Sequence, residues 1–302
     1  MWKYWAFCIA AFIFPRLPAS MGYFIASLTG NILYFTAPRS RRAVAVNAWH
    51  VMRPTDRKTF RRTVRRIFVN ASKNYYDLLR VPGIDLPRLR SIVALHGWEH
   101  FEGALAQGRG VVVATAHLGN FDLVAQIMVG LSVPVAGLAE PLRPRPLFRV
   151  VSGLRTSRGL SFFPVGYGGL KALIRVLRLG GAVGVACDRD IQKNGVPVEF
   201  MGELTALPPG PVDLALHTGA LVVPAFSVRR TNNAFDLYME PALSFTDRSR
   251  RLEYVRELAG YVEKYVRAHV DQWVVMEPVW HTETRRNHEA PLPAVALERG
   301  RP

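Results

Sequence analysis

The sequence is poor in cysteine: only Cys8 and Cys187 occur among its 302 residues. Two cysteines exclude a disulfide framework and offer no zinc-type spacing. The simplest expectation is that the protein lies in the reducing environment of the cytosol. Cys187 is interpreted as a small core residue rather than a nucleophile. The sequence also lacks a Gly-x-Ser-x-Gly turn and a metal-binding constellation. We therefore expect no serine acyl-enzyme, no metal and no cofactor.

Acidic residues are scarce in the first quarter of the chain. Residues 1–80 contain two acidic residues, Asp56 and Asp77, and fourteen Lys and Arg. The segment therefore holds most of the formal net charge of +16 of the whole chain. Such an excess of positive charge favours an anionic partner, either nucleic acid or an anionic membrane surface.

Charge is absent altogether from Leu17 to Ala37, a stretch rich in aromatic and aliphatic residues. Apolar side chains next to a basic segment are typical of a membrane-surface protein, so we expect an anionic membrane and no nucleic acid. The stretch has roughly the ~20 residues that a spanning helix needs. Because Pro18, Gly30 and Asn31 dilute it, the sequence predicts a shallow monotopic anchor rather than a span. No cleavage site of a signal peptide follows the first apolar run.

Hydrophobic periodicity predicts an amphipathic helix over residues 56–80, with its arginines largely off the apolar stripe. Beyond residue 108, short apolar runs alternate with helical patterns, which indicates an α/β sheet protein. The strands are predicted at 111–116, 133–139, 161–165, 182–187, 221–227 and 235–240, and the helices from Asn120 to Gly130 and over 147–154, 170–177 and 250–267. We expect three parts: a membrane-associating helical region at 1–80, an α/β core at 81–280 and a poorly ordered tail at 281–302.

The most informative segment runs from His117 to Asp122, where a buried strand gives way to a helix. Ligands of open α/β sheets bind at this edge. Asp122 is predicted to orient the imidazole of His117 and raise its basicity. The amides of Gly119 and Asn120 at the helix start are predicted donors for an oxyanion. The alternative is a capped helix start in which Asp122 serves the helix dipole and His117 is satisfied in the core.

This segment resembles the H-x4-D/E motif of the lipid A biosynthesis (lauroyl/myristoyl) acyltransferase family, and especially its phosphatidylinositol mannoside acyltransferase branch. Further blocks resemble the family in the same order, from about Leu17 to Trp280. They are Leu17-Pro18, Arg41-Arg42, Asn47, Leu147-Phe148-Arg149 through Arg155, Asp188-Arg189-Asp190, Gly195 to Glu203, Pro209-Gly210-Pro211, Leu214-Ala215, Thr218-Gly219-Ala220 and Val223-Pro224.

The resemblance implies a glycerolipid-acyltransferase-like fold, with a mixed central sheet flanked by helices, on the cytoplasmic face of the bacterial inner membrane. It implies transfer of a fatty acyl chain from acyl-CoA or acyl-carrier protein to a hydroxyl of a membrane glycolipid. His117 would be the general base and Asp122 its partner, and Arg155 would hold the donor or a phosphate of the acceptor. Asp188 stands where the mannoside branch has a glutamate paired with the histidine, so its contact with His117 is left open. Arg189, Asp190 and Glu199 are further candidates for substrate binding.

Each site residue also has a structural alternative. Arg155 beside Arg158 is compatible with a solvated helix face, residues 188–190 with a surface loop, and Glu199 with simple exposure. Two other functions stay open: a non-catalytic protein that binds anionic lipid or nucleic acid, and an acyl-CoA thioesterase.

Overall fold

The computed structural model describes residues 2–280, so the predicted tail at 281–302 lies outside the described residues. Five helices come first: α1 (Trp2–Ile13), α2 (Ala19–Thr36), α3 (Pro38–Met52), α4 (Arg57–Arg80) and α5 (Leu86–Ile92). The Asp56 carboxylate accepts from the amides of Lys58 and Thr59 and so caps α4. The predicted helix over 56–80 is confirmed.

The elements after α5 are strands and further helices. They are β1 (Val93–His96), α6 (Trp98–Ala106), β2 (Val111–Thr115), α7 (Phe121–Val124), β3 (Val135–Ala139), α8 (Arg145–Thr156), β4 (Ser161–Pro164), α9 (Tyr167–Arg178), β5 (Ala182–Ala186), β6 (Val196–Phe200), β7 (Glu203–Leu207), α10 (Gly210–Thr218), β8 (Leu221–Arg229), β9 (Phe235–Met239) and α11 (Arg251–Ala268). Strands and helices alternate up to β5, in keeping with the predicted α/β pattern, and β5–β7 and β8–β9 are runs of consecutive strands.

A mixed seven-stranded sheet forms the centre, with the strand order β1-β9-β8-β2-β5-β3-β4. Adjacent strands in this sheet run parallel to each other, except for β8 and β9, which are antiparallel. Strands β6 and β7 form a separate antiparallel hairpin. The mixed α/β fold with flanking helices is confirmed, whereas β1 and the hairpin were not predicted.

Alternating side chains of the central strands enter two different cores. Val112 and Ala114 of β2 pack with α9, α10 and α11, whereas Val111 and Val113 pack with α5, α6 and the segment around α7. This alternation follows from the twofold period of a strand, and it explains why the sequence of β2 is continuously apolar.

The helix predicted from Asn120 to Gly130 is only partly α-helical. α7 ends at Val124, and Ala125–Gly130 continue as a 3₁₀ helix. The apolar spacing of the segment is similar for the two helix types over so short a length, so periodicity alone did not separate them.

The N-terminal helices cover one side of the core and leave an apolar surface exposed. α2 packs closely on α4 through the row Gly22, Ala26 and Gly30, all of them buried. The opposite face of α2 exposes four large apolar side chains to between 50% and 69%: Phe24, Leu28, Ile32 and Phe35. Within residues 2–280, no helix has both the length and the hydropathy required to cross a bilayer.

Candidate active site

His117 and Asp188 meet because of the register between two parallel strands. Thr115 at the end of β2 lies opposite Ala186 at the end of β5. His117 stands two positions after the end of β2, and Asp188 stands two positions after the end of β5. The two side chains therefore lie next to each other at the same edge of the sheet. This edge, at the carboxyl ends of parallel strands, is where α/β sheets bind ligands.

The carboxylate of Asp188 holds His117 at two points. One oxygen lies 2.8 Å from Nδ1 of the ring, and the other accepts the backbone amide of His117 at 2.8 Å. The indole Nε1 of Trp273 donates to the second oxygen, also at 2.8 Å. An ionised Asp188 accepts from Nδ1–H, which leaves Nε2 unprotonated and able to act as a base.

Burial and charge oppose one another in this pair. Burial alone would lower the pKa of His117, but the charge and the hydrogen bond of Asp188 outweigh it and raise that pKa above its ordinary value. Burial would likewise raise the pKa of Asp188, and the hydrogen bonds from His117 and Trp273 and the charge of His117 lower it instead. The pair therefore resembles the carboxylate–imidazole unit of general-base enzymes.

Asp122 does not orient His117, which corrects the prediction from the H-x4-D spacing. Its Oδ2 accepts from Nη2 of Arg155 at 2.8 Å, and its Oδ1 lies 2.8 Å from Nε of the same guanidinium. Asp122 stands five residues beyond His117, on the far side of the turn that begins α7, and there it faces the last turn of α8. Arg155 is thus a partly buried member of the site rather than part of a solvated helix face.

The amide of Gly119 is not available for an oxyanion, because it donates to the carbonyl of Gln272 at 3.1 Å. Asn120 is also engaged through its side chain: its Oδ1 accepts from the amide of Leu123 and its Nδ2 donates to Asp77. The helix cap of the structural alternative is therefore present, but Asp122 pairs with Arg155 and His117 lines the groove, so the rest of that alternative does not hold. Of the two predicted oxyanion donors, only the amide of Asn120 stays a candidate.

Gly119 is required where it stands. Its φ is +59°, and a Cβ there would lie 2.2 Å from the carbonyl oxygen of Ser227. We expect Gly119→Ala to lower the free energy of unfolding by more than about 2 kcal/mol, since the left-handed strain and the clash add. Denaturant unfolding checks this. Gly108→Ala is the control, because it has a φ of +69° with open space around it and costs strain alone; equal losses in both variants would contradict the clash.

The other predicted residues have separate positions. Arg189 bridges Glu140 and Glu277 at the wall of the groove. The Asp190 carboxylate accepts from the amides of Asn194 and Gly195 and closes its own loop. Glu199 is exposed on β6 and is not among the described residues that line the groove, so its contact with substrate stays a prediction.

A groove of about 1230 Å³ reaches the His117–Asp188 pair. Polar side chains line it near the pair: His117, Asp122, Arg155, Arg189 and Glu140. Apolar side chains that pack in one cluster also line it: Met128, Val135, Val151, Leu160 and Phe162. This volume exceeds the roughly 300–1,000 Å³ that is typical of small-molecule sites.

Two members of the site, Trp273 and Glu140, had no signal in the sequence. A buried tryptophan needs a partner for its indole N–H, but one sequence does not tell which acceptor it finds. Burial raises the pKa of the Cys187 thiol, which supports its interpretation as a core residue. Among residues 2–280, no group of three or more His, Cys, Asp or Glu side chains is arranged to hold a metal ion.

Comparison with known proteins agrees with the resemblance. The family model of the bacterial lipid A biosynthesis acyltransferases matches residues 1–282. A phosphatidylinositol mannoside acyltransferase of Mycobacterium tuberculosis is 29% identical over 222 residues, which cover 72% of this chain and 69% of the relative. The enzyme of that name from Mycolicibacterium smegmatis is 28% identical over 233 residues, or 76% of each chain.

Proposed function

The chain belongs to the bacterial lipid A biosynthesis acyltransferase family, and we propose that it transfers a fatty acyl chain from acyl-CoA or acyl-carrier protein directly to a hydroxyl of a membrane glycolipid. The acceptor is a lipid of the phosphatidylinositol mannoside or lipid A type, in keeping with the names of the relatives and of the family. The observation that carries the proposal is the His117–Asp188 pair at the groove.

The proposed reaction has two steps. Nε2 of His117 takes the proton of the acceptor hydroxyl while the hydroxyl oxygen attacks the carbonyl carbon of the thioester. The tetrahedral oxyanion then collapses, the C–S bond breaks, and the imidazolium returns its proton to the departing thiolate. General-base catalysis of this kind contributes about 10²–10⁴-fold to the rate.

Arg155 and the apolar part of the groove have complementary roles in this proposal. Arg155 lines the groove that His117 also lines, where its positive charge stabilises the oxyanion or a phosphate of either substrate, with the Asn120 amide as a second candidate donor. The apolar side chains receive the acyl chain, because burying each CH₂ group is worth about 0.8 kcal/mol. Arg189 lies in the wall of the same groove, paired with Glu140 and Glu277, and is a further candidate for contact with the substrates.

A product assay tests the proposed function. The purified chain is incubated with isotope-labelled acyl-CoA or acyl-carrier protein and with either phosphatidylinositol mannosides or lipid A precursors, and the lipids are then analysed by mass spectrometry. A labelled ester of the glycolipid is the expected product. Free fatty acid without a lipid ester would instead indicate the thioesterase, and binding without turnover would indicate a non-catalytic protein.

We also propose that the chain binds the cytoplasmic face of the inner membrane as a peripheral or monotopic protein. The exposed apolar face of α2 lies next to the basic face of α4, where Arg65 donates to Asn31 of α2. Apolar side chains that enter the acyl boundary and arginines that meet anionic headgroups are the two features such binding requires.

The double variant Phe24→Asp with Phe35→Asp is expected to weaken binding to vesicles of anionic phospholipid by at least about tenfold, because each buried aromatic side chain contributes about 1.5–3 kcal/mol. Sedimentation with the vesicles measures it. Leu204→Asp is the control, since Leu204 is 54% exposed and belongs to β7, not to α2. A double variant that binds as tightly as this control would contradict the assignment of the surface.

A further inference from the structure

A cluster of polar side chains is buried behind the turn that carries His117. We name it the Asp77 cluster; its members are Tyr23, Asn74, Asp77, Asn120 and Arg229. Asp77 is fully buried at its centre and accepts hydrogen bonds from the Tyr23 hydroxyl at 2.6 Å, from Asn120 Nδ2 at 3.0 Å and from Arg229 Nη2 at 2.6 Å. One carboxylate therefore connects α2, α4, β8 and the start of α7.

The Asp77 cluster contacts the His117 turn at successive positions. Asn120, which Asp77 holds, caps α7. Asn74 Nδ2 donates to the carbonyl of Gly119, and Asn74 in turn accepts from Arg229 at 2.7 Å. These bonds reach residues 119 and 120, two and three positions beyond His117. They act on the backbone that determines where the imidazole stands.

Stability alone does not account for a fully buried ion pair. Removing two charges from water costs several kcal/mol per ion, and apolar side chains of similar volume often stabilise a protein equally well or better. In some proteins such a pair instead provides one defined arrangement of the segments that it joins, since each partner left without the other would be an uncompensated charge. Here the segments joined are the His117 turn and the N-terminal helices.

Tyr23 is the member of the Asp77 cluster that α2 contributes. Burial and the neighbouring Asp77 raise the pKa of Tyr23, so that its hydroxyl stays protonated and donates. Next to it in the sequence is Phe24, which is 69% exposed on the apolar face of α2. Gly22, on the other side, packs so closely on Tyr76 of α4 that a Cβ would lie 2.1 Å from the ring. The position at which α2 packs on α4 is thus coupled to Asp77 through Tyr23.

We propose that Tyr23 and Asp77 are positioning residues for acyl transfer: through Asn120 they hold the His117 turn in register with the acceptor, and they make this register depend on the seating of helix α2. The inference rests on the proposed function, because it assumes that His117 acts on an acceptor hydroxyl. It extends that function by assigning α2 a part in the geometry of the site.

The test compares two variants that each lose one hydroxyl from the same aromatic group. Tyr23→Phe removes the donor to Asp77. Tyr76→Phe is the matched control: its ring lies 4.9 Å from that of Tyr23, and its buried hydroxyl has no hydrogen-bond partner among the described residues. The readouts are kcat, KM for the glycolipid, and the ratio of acyl transfer to thioester hydrolysis, each taken well below the melting temperature of both variants.

For Tyr23→Phe we expect kcat to fall about tenfold with little change in KM, since small displacements of a catalytic group are costly. We also expect the ratio of transfer to hydrolysis to fall, because water reaches a displaced base more easily than a bound sugar does. A loss of folded protein would lower both reactions equally and leave their ratio unchanged. Tyr76→Phe should keep the wild-type values of kcat and of the ratio.

An unchanged transfer-to-hydrolysis ratio in Tyr23→Phe, or equal effects in the two variants, would overturn the inference. Asp77→Asn gives a second measurement, and a ratio there that stays at the wild-type value would also overturn it. Failure of the proposed function is a different result, namely a wild-type protein that forms no glycolipid ester at all. The two failures are therefore distinguishable in one set of assays.

Discussion

Replacement of His117 by alanine is expected to lower the rate of acyl transfer by about 10²–10⁴-fold, the usual contribution of a general base. The ring lines the groove, and its Nδ1 is engaged by Asp188, so Nε2 is the nitrogen that can take a proton from the acceptor. Alanine removes that nitrogen, but it keeps the backbone amide at position 117 that donates a hydrogen bond to Asp188. Labelled acyl transfer at saturating donor and acceptor measures the effect.

The control is His96→Ala, because His96 belongs to another His–Asp pair, with its Nε2 2.7 Å from Asp236 at the surface. It should transfer acyl groups at the wild-type rate. Binding of the His117→Ala variant to phospholipid vesicles should also match the wild type, since the apolar face of α2 is untouched. Near wild-type transfer by His117→Ala would contradict the assignment of the base.

Asp188→Asn is expected to lower kcat by about 10²–10⁴-fold, because the ring loses the partner that fixes its tautomer and stabilises the imidazolium. The pH dependence should change as well. Activity requires unprotonated His117, so it rises with pH through the pKa of the ring, and that pKa is raised in the wild type. Without the charge of Asp188, burial dominates and lowers the pKa, and the ascending limb should move to lower pH. A profile of log(kcat/KM) against pH measures this shift.

The matched change Asp236→Asn removes the carboxylate from the surface pair of His96 and should leave the profile where it is. If the Asp188→Asn profile keeps its ascending limb at the wild-type pH, Asp188 does not govern the ionisation of His117. Asp122→Asn offers a further comparison. Asp122 is hydrogen-bonded to Arg155 and affects the pKa of His117 only through its charge. Loss of the Asp122 carboxylate should therefore shift the ascending limb of the pH profile less than loss of the Asp188 carboxylate does.

The sheet was predictable from the sequence because its central strands are buried on both faces. β2, β5 and β8 have continuous apolar runs, and each predicted range differs from the observed strand by one or two residues. β1 is short and only partly buried, and the β6–β7 hairpin includes Pro197 and an exposed Glu199. Neither has the uninterrupted apolar pattern of β2, β5 and β8.

The partner of His117 was harder to predict, because spacing along the chain and proximity in space gave different answers. Asp122 is close in sequence, but the turn at Gly119 and the cap at Asn120 direct it towards Arg155. Asp188 is 71 residues away and reaches the ring through the register of β2 with β5. That both residues follow buried strands was visible in the sequence, whereas the adjacency of the two strands was not.

The most direct test of the account is the ionisation of His117 itself, followed by NMR of the protein with isotope-labelled histidine and assigned with the His117→Ala variant. We predict that the ring titrates above its ordinary pKa and at the pH where kcat/KM for glycolipid acylation rises. A ring that titrates elsewhere, or that stays in one protonation state while activity rises, would contradict a base at His117.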